Sequence, residues 1–284
     1  MLTQEKKWDW EISSKAGWSW DIRQLLSYRH LLGNLIRREF LLNYQQTVLG
    51  PLWILFQPIL TLIVYVLVFG KLIGINIGSN LPPVLFYFSG IVLWNFFNDS
   101  FTGTSNIFRD NIHIFSKVYF PRMIMPLSVV ITHFLRLCIQ LLLLVLMIFY
   151  YVLFTEFSMK ASAYMLAIPV AILFTGLISF SMGLIFSVLT AKYRDISNFV
   201  FVGIRLMMFV TPVIYPLSTV PENLRWIVSL NPLTALFELF RLGLFGMGTV
   251  TFAQLIYSIL FAILSLLASL YLFNKQGSKL IDVV

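Results

Sequence analysis

Residues 54–73 read ILFQPILTLIVYVLVFGKLI. A helix rises about 1.5 Å per residue, so about 20 mostly apolar residues cross the roughly 30 Å hydrocarbon layer of a membrane. This stretch has that length, and its only charge, Lys71, lies near its end. Five more stretches read the same way: 84–104, 127–154, 163–189, 197–215 and 251–273. The expected fold is therefore an all-α polytopic membrane protein with six transmembrane helices. The second stretch is the weakest, because Asn95, Asn98 and Asp99 interrupt it, and the fifth carries Arg205. Residues 216–250 are apolar but broken by Pro216, Pro221, Pro232 and several glycines. They are expected to form short helices that enter the membrane and turn back, which is allowed only where protein or trapped water satisfies the backbone.

Composition supports the membrane class. Of the 284 residues, 59% are hydrophobic and 11% charged, with mean hydropathy +0.86. Soluble domains carry about 25% charged residues, so this chain has too few to cover a water-facing surface. The formal net charge of +8 would suit a nucleic-acid binder, but it sits on the connections between apolar runs. Placing the N-terminus in the cytoplasm collects most of the 20 Lys and Arg on that side, including Lys6, Lys7, Arg29, Arg37, Arg38, Arg109, Lys117, Lys192 and Arg194. The opposite side keeps Lys71, Lys160, Arg225 and Arg241. Both termini are thus expected in the cytoplasm. Residues 1–30 lack the apolar core of a signal peptide. The single cysteine, Cys138, excludes an internal disulfide.

Three regions follow: a cytoplasmic segment 1–50, a transmembrane domain 51–275 and a short cytoplasmic tail 276–284. Within the first, Leu25, Leu32, Leu35, Ile36 and Phe40 recur near helical spacing with arginines between them. Trp8, Trp10, Trp18 and Trp20 suit an interfacial layer. An amphipathic helix on the inner membrane surface is expected; a soluble cap helix is the alternative.

The chain lacks G-x-x-x-x-G-K-[ST], H-E-x-x-H, G-x-S-x-G and any Cys/His cluster with metal-ligand spacing. No metal site and no catalytic residue is expected. Fuel for any work must then bind another chain. Polar groups inside the spans are the remaining candidates, since they are costly in hydrocarbon and face a bundle interior or cavity. His133 and Arg136 share a helix face, and an Asp99–Arg136 ion pair is geometrically allowed. That cluster fixes two helices or lines a conduit for an anionic substrate. Arg205 lies near mid-span, where snorkelling to the interface is harder, and is a candidate to face a cavity. Aromatics crowd the second span, Trp94 and Phe97 among them. They either pack or offer faces past which a sugar polymer slides.

Between the second and third spans lies RDNIHIFSKVYFPRMIMP (109–126). Phe108, Ile112 and Phe115 would form an apolar stripe, while Arg109, Asp110 and Lys117 offer polar contacts. Pro121 and Pro126 stiffen the entry to the third span.

Five stretches together carry a family resemblance: YRHLLGNLIRREFLLNYQQTVLGPLWILFQP (28–58), KVYFPRMIMPLS (117–128), YRDI (193–196), TPVIYPLSTVPE (211–222) and NPLTALFELFRLGLFG (231–246). In this order the chain resembles the permease subunit of a type-2 ABC exporter of the polysaccharide class, which exports O-antigen, capsule or teichoic acid. The resemblance implies a homodimer paired with two ATPase subunits that hold ATP and Mg. It implies ATPase-coupling contacts from Phe108, Arg109, Asp110, Ile112, His113, Phe115 and Lys117, and from Lys192, Arg194 and Asp195. Outer-gate helices would involve Tyr215, Pro216, Pro221, Asn231, Pro232, Glu238 and Arg241. The channel would be lined in part by the first, second and fifth spans, with Trp94, Phe97, Asp99, His133, Arg136 and Arg205 as candidates. The substrate would be a polysaccharide on an undecaprenyl diphosphate lipid in a bacterial inner membrane. Arg29, Arg37 and Arg38 would attract the diphosphate at the inner leaflet.

Other readings stay open at this stage. A type-2 exporter of another lipid or small molecule is one. A membrane-embedded glycan-modifying enzyme is another, for which His113 and Asp110 would be the acid–base candidates. A scaffold without a transport path is a third.

Overall fold

The computed structural model describes residues 26–75, 77, 81–111, 114, 120–155, 164–193 and 195–280, the last five of these by backbone alone. Its elements are α1 (Arg29–Leu42), α2 (Trp53–Tyr65), α3 (Pro83–Ser105), α4 (Ile107–Asp110), α5 (Ile124–Phe154), α6 (Ala167–Lys192), α7 (Ile196–Val210), α8 (Glu222–Leu230), α9 (Pro232–Phe245) and α10 (Phe252–Leu280). No strand occurs among the described residues. A short 3-10 turn, Gly50–Leu52, leads into α2, and a π-helical stretch, Val66–Leu72, continues it.

Among the described residues, four helical stretches are long and apolar enough to span a membrane: Gly50–Leu72, Ile124–Phe154, Ala167–Lys192 and Phe252–Lys275. A fifth arises if α8 and α9, bent by 99° to one another, count as one broken span. The chain is a multi-pass membrane protein. Two expected spans fall short by this measure. The helix α3 is long enough but too polar around Asn95, Asn98 and Asp99. The helix α7 has only 15 residues and ends at Val210, not at 215. Pro212 is the cause, because the residue before a proline is driven out of helical geometry, and Thr211 has ψ 140°. The last helix overshoots its expected end at 273 and continues to Leu280.

The helices α3 and α6 form the centre, where α3 packs against α5 and α6, and α6 against α10 and α9. That position explains the polarity of α3, which is covered by protein along nearly its whole length. Backbones approach closely where side chains vanish. A Cβ on Gly183 would sit 2.6 Å from the Thr104 Cβ and 3.1 Å from the Phe101 carbonyl oxygen. Small residues let membrane helices pack by dispersion when water gives no hydrophobic drive. Gly183→Val should therefore cost about 1–3 kcal/mol through overpacking, read as a lower melting temperature in detergent. The same substitution at Gly203, which has nothing within 4 Å, should leave melting unchanged. Equal melting of both variants would contradict the α3–α6 packing.

Several buried hydroxyls bond to a carbonyl of their own helix or bridge to another element. Ser181 Oγ and Ser265 Oγ lie 2.8 Å apart between α6 and α10, and Ser258 donates to the Pro232 carbonyl at 2.7 Å. Each such bond offsets the cost of taking a hydroxyl out of water.

Candidate functional site

One end of the bundle carries α1, the start of α5 and the α6–α7 connection, and is called the basic end here. There α3 stops at Ser105 and the chain turns through α4. Asn106 is the pivot. Its Nδ2 donates to the Thr102 carbonyl at 3.0 Å, and its Oδ1 accepts from Ser197 Oγ at 3.1 Å. Thr190 Oγ1 donates to the Ser105 carbonyl. The end of α3 is thus tied to the end of α6 and to the first turn of α7.

Phe108 does not project outward as a contact for another protein. It is 6% exposed and stacks on Phe273 at 5.4 Å, within a cluster that includes Ile107, Ile124, Val188 and Leu270. An apolar ring at this position is worth more inside than in water, so it anchors the connection to α10. Arg109 and Asp110 are half exposed and pair with each other at 3.2 Å. Ile112, His113, Phe115, Lys117 and Arg194 lie outside the described residues. Lys192 is exposed with its Nζ over the Tyr193 ring, and Asp195 is exposed at the N-cap of α7.

The helix α1 has no fully buried residue. Leu31, Leu32 and Leu35 pack on the cluster around Phe108, while Arg29, Arg37 and Arg38 are exposed. Its apolar side rests against α5, so the amphipathic pattern is satisfied by protein on that side.

Asp99, His133 and Arg136 gather near Tyr44, and the geometrically allowed Asp99–Arg136 ion pair is not formed. Asp99 accepts from Asn98 Nδ2 at 2.8 Å. The Arg136 guanidinium lies over the Tyr44 ring at 5.3 Å and reaches His133 Nδ1 at 3.5 Å. A cation above an aromatic face gains from the ring quadrupole without needing a carboxylate. Burial holds the Tyr44 phenol above its ordinary value, against the opposing pull of Arg136.

Trp94 and Phe97 are buried at 7% and 2% exposure inside the central helix layer. Phe97 stacks on Phe101 at 5.9 Å with the rings nearly parallel. Their faces are occupied by packing, which takes them off any surface past which a solute could slide. Arg205 differs. It is exposed on α7, its guanidinium carbon 3.9 Å above the Phe201 ring, with no carboxylate at ion-pairing distance among the described residues. Phe199, Phe201, Leu206 and Phe209 are exposed on the same helix.

The opposite end is closed by a polar clamp. Asn231 caps α9, its Oδ1 accepting from Leu233 N at 3.0 Å and its Nδ2 donating to Thr211 Oγ1 at 2.7 Å. Pro232 follows at the first helical position, and Gly246 ends the helix with φ 67°. The sequence N-P…G therefore writes both ends of α9. From it, Arg241 donates to the Val213 carbonyl at 2.7 Å and lies 3.8 Å over the Phe86 ring. Glu238 pairs with Arg241 at 3.5 Å and accepts from Thr249 N at 3.1 Å. Both side chains are at most 5% exposed. Tyr215 donates to the Phe209 carbonyl, Pro216 is half-buried and Pro221 exposed ahead of α8. Sequence reading missed Val213, Phe86 and Gly90 as members of this clamp. A Cβ on Gly90 would fall 2.5 Å from the Val213 carbonyl oxygen, so a glycine within an apolar run was the available signal.

Comparison with known proteins extends these observations. Residues 30–245 match the family model described as ABC-2 type transporter. An O-antigen export system permease protein RfbA of Myxococcus xanthus is 34% identical over 217 residues, covering 76% of this chain and 80% of its own length. A protein of the same name from Klebsiella pneumoniae is 27% identical over 254 residues, covering 89% and 95%. The match runs from α1 through the clamp on α9, which takes in the basic-end connections and the exposed face of α7, and on this evidence the chain belongs to the ABC-2 type transporter family and is a transport subunit rather than an enzyme.

Proposed function

We propose that the chain is the channel-forming permease of an ATP-driven exporter that moves a lipid-linked polysaccharide across the bacterial cytoplasmic membrane. The observation that carries this reading is the near full-length similarity to permeases named for O-antigen export. Two copies would enclose the path, each contributing six membrane passes once α3 and α7 are counted. Both termini would lie in the cytoplasm, at the basic end. The bent pair α8–α9 would gate the outer exit.

The chain carries no phosphate-binding loop, so ATP and Mg would be held by two partner ATPases. The exposed groups at the basic end, Arg109, Asp110, Lys192 and Asp195, suit contact with them. A push on the 106–123 connection has a route inward. Asn106 is bonded to Ser197 on α7, and Phe108 is seated against α10. Both helices would follow the connection as rigid bodies, because packed cores shift between discrete arrangements and do not deform smoothly. Arg29, Arg37 and Arg38 would draw the lipid diphosphate to the inner leaflet.

Affinity purification of the chain from its own cells should bring down an ATPase with a phosphate-binding loop, and the pair should hydrolyse ATP faster when lipid-linked glycan is added. Purification of the intact membrane protein with no such companion would sink the reading.

A further inference from the structure

The exposed cation on α7 lacks an explanation within the subunit. Arg205 sits about 14 Å along the helix from Ile196, at ~1.5 Å per residue, so it is far from the basic end. Phe199, Phe201, Leu206 and Phe209 beside it would suit lipid, but a guanidinium at that depth would not. Among the described residues, a second copy offers it no free partner either. Of the described carboxylates, Asp99 is bonded to Asn98 and Glu238 is buried with Arg241. Asp110 is paired with Arg109 at the basic end, where Glu39 on α1 and Asp195 also lie; Glu222 starts α8 at the opposite end. An exposed cation on this face suits something wet and negative.

Its geometry suits an oxyanion. The guanidinium carbon lies 3.9 Å over the Phe201 ring, and a guanidinium that stacks by its face keeps its N–H donors free in the plane. Those donors bind a carboxylate or phosphate with two parallel hydrogen bonds. We propose that Arg205 is a docking point for the anionic substituents of an acidic glycan as the polymer passes along α7, and so selects acidic over neutral polymers. This rests on the exporter function proposed above. The lipid diphosphate is not the occupant, because it travels at headgroup depth while Arg205 lies well inside. Its exposure also fits passage: an exposed cation holds an oxyanion weakly enough to release it.

The test uses the full permease–ATPase complex in vesicles and two glycans on the same undecaprenyl diphosphate, one neutral and one bearing uronic acids. Arg205→Gln should lower export of the uronate glycan about fivefold, the factor that one close charge contact carries even in bulk water, and leave the neutral glycan unchanged. Arg205→Lys should retain most of the preference. In a Cys138→Ser background, Arg205→Cys should react with charged, membrane-impermeant thiol reagents. The aminoethyl reagent should restore uronate export, and the sulfonatoethyl reagent should depress it further. Equal loss of both glycans in Arg205→Gln, loss of neither, or no labelling of the cysteine would each overturn the proposal while leaving the exporter function standing. A wild-type complex that moved neither glycan would instead overturn the exporter function, and this proposal with it.

Discussion

Arg241→Ala is expected to abolish recovery of folded, monodisperse protein. The substitution removes the hydrogen bond to the Val213 carbonyl at 2.7 Å and the cation over Phe86. It also strands Glu238, which is 4% exposed and then keeps only the Thr249 amide as a partner. Removing one member of a buried ion pair costs about 3–5 kcal/mol, because the survivor's charge stays out of water. Set against a total stability of about 5–15 kcal/mol, that is a large share. The 3.5 Å separation of Arg241 and Glu238 is long, so the loss of the carbonyl contact adds substantially to the effect. Arg241→Met combined with Glu238→Gln should recover part of the loss, since it removes both charges and keeps an acceptor for Thr249. Size-exclusion profiles and melting curves in detergent read both variants. If Arg241→Ala melted like the parent, the clamp would not hold the opposite end together.

The membrane spans were legible wherever lipid is the solvent, because length and hydropathy then carry the information. The helix α3 was harder to read for a physical reason. It sits at the centre of the bundle, so its environment is protein, and Asn98 donates to Asp99 there. The fifth span was read five residues too long because Tyr215 and its neighbours are apolar, whereas the single Pro212 stops the helix. Aromatic content alone could not tell a packed ring from an exposed one. Trp94, Phe97 and Phe108 turned inward, while Phe201 and Phe209 on α7 stayed outward. Arg205 was visible as a mid-span cation, but its solitude needed the positions of the described carboxylates. The clamp was only half legible. Asn231, Pro232, Glu238 and Arg241 stood out as polar or stiff residues in an apolar run. Their partner at Val213 is a backbone carbonyl 28 residues away, and no side-chain identity announces it.

The second large effect concerns the source of motion. A lipid-linked glycan carries a diphosphate and many hydroxyls, and burying these without partners in hydrocarbon costs several kcal/mol for each polar group. A protein path lowers that barrier but does not supply direction. The chain has exposed charges at its basic end for a companion to grip, links from Asn106 to α7 and from Phe108 to α10, and no phosphate-binding loop of its own. On the proposed function, motion would be borrowed from a partner ATPase. The most direct measurement reconstitutes the chain in vesicles with lipid-linked glycan and ATP, with and without its ATPase, and follows glycan appearing on the far side. Crossing is expected only when the ATPase and hydrolysable ATP are both present, with the chain alone matching protein-free vesicles. Sustained crossing by the chain alone at the rate of the full complex would contradict the account.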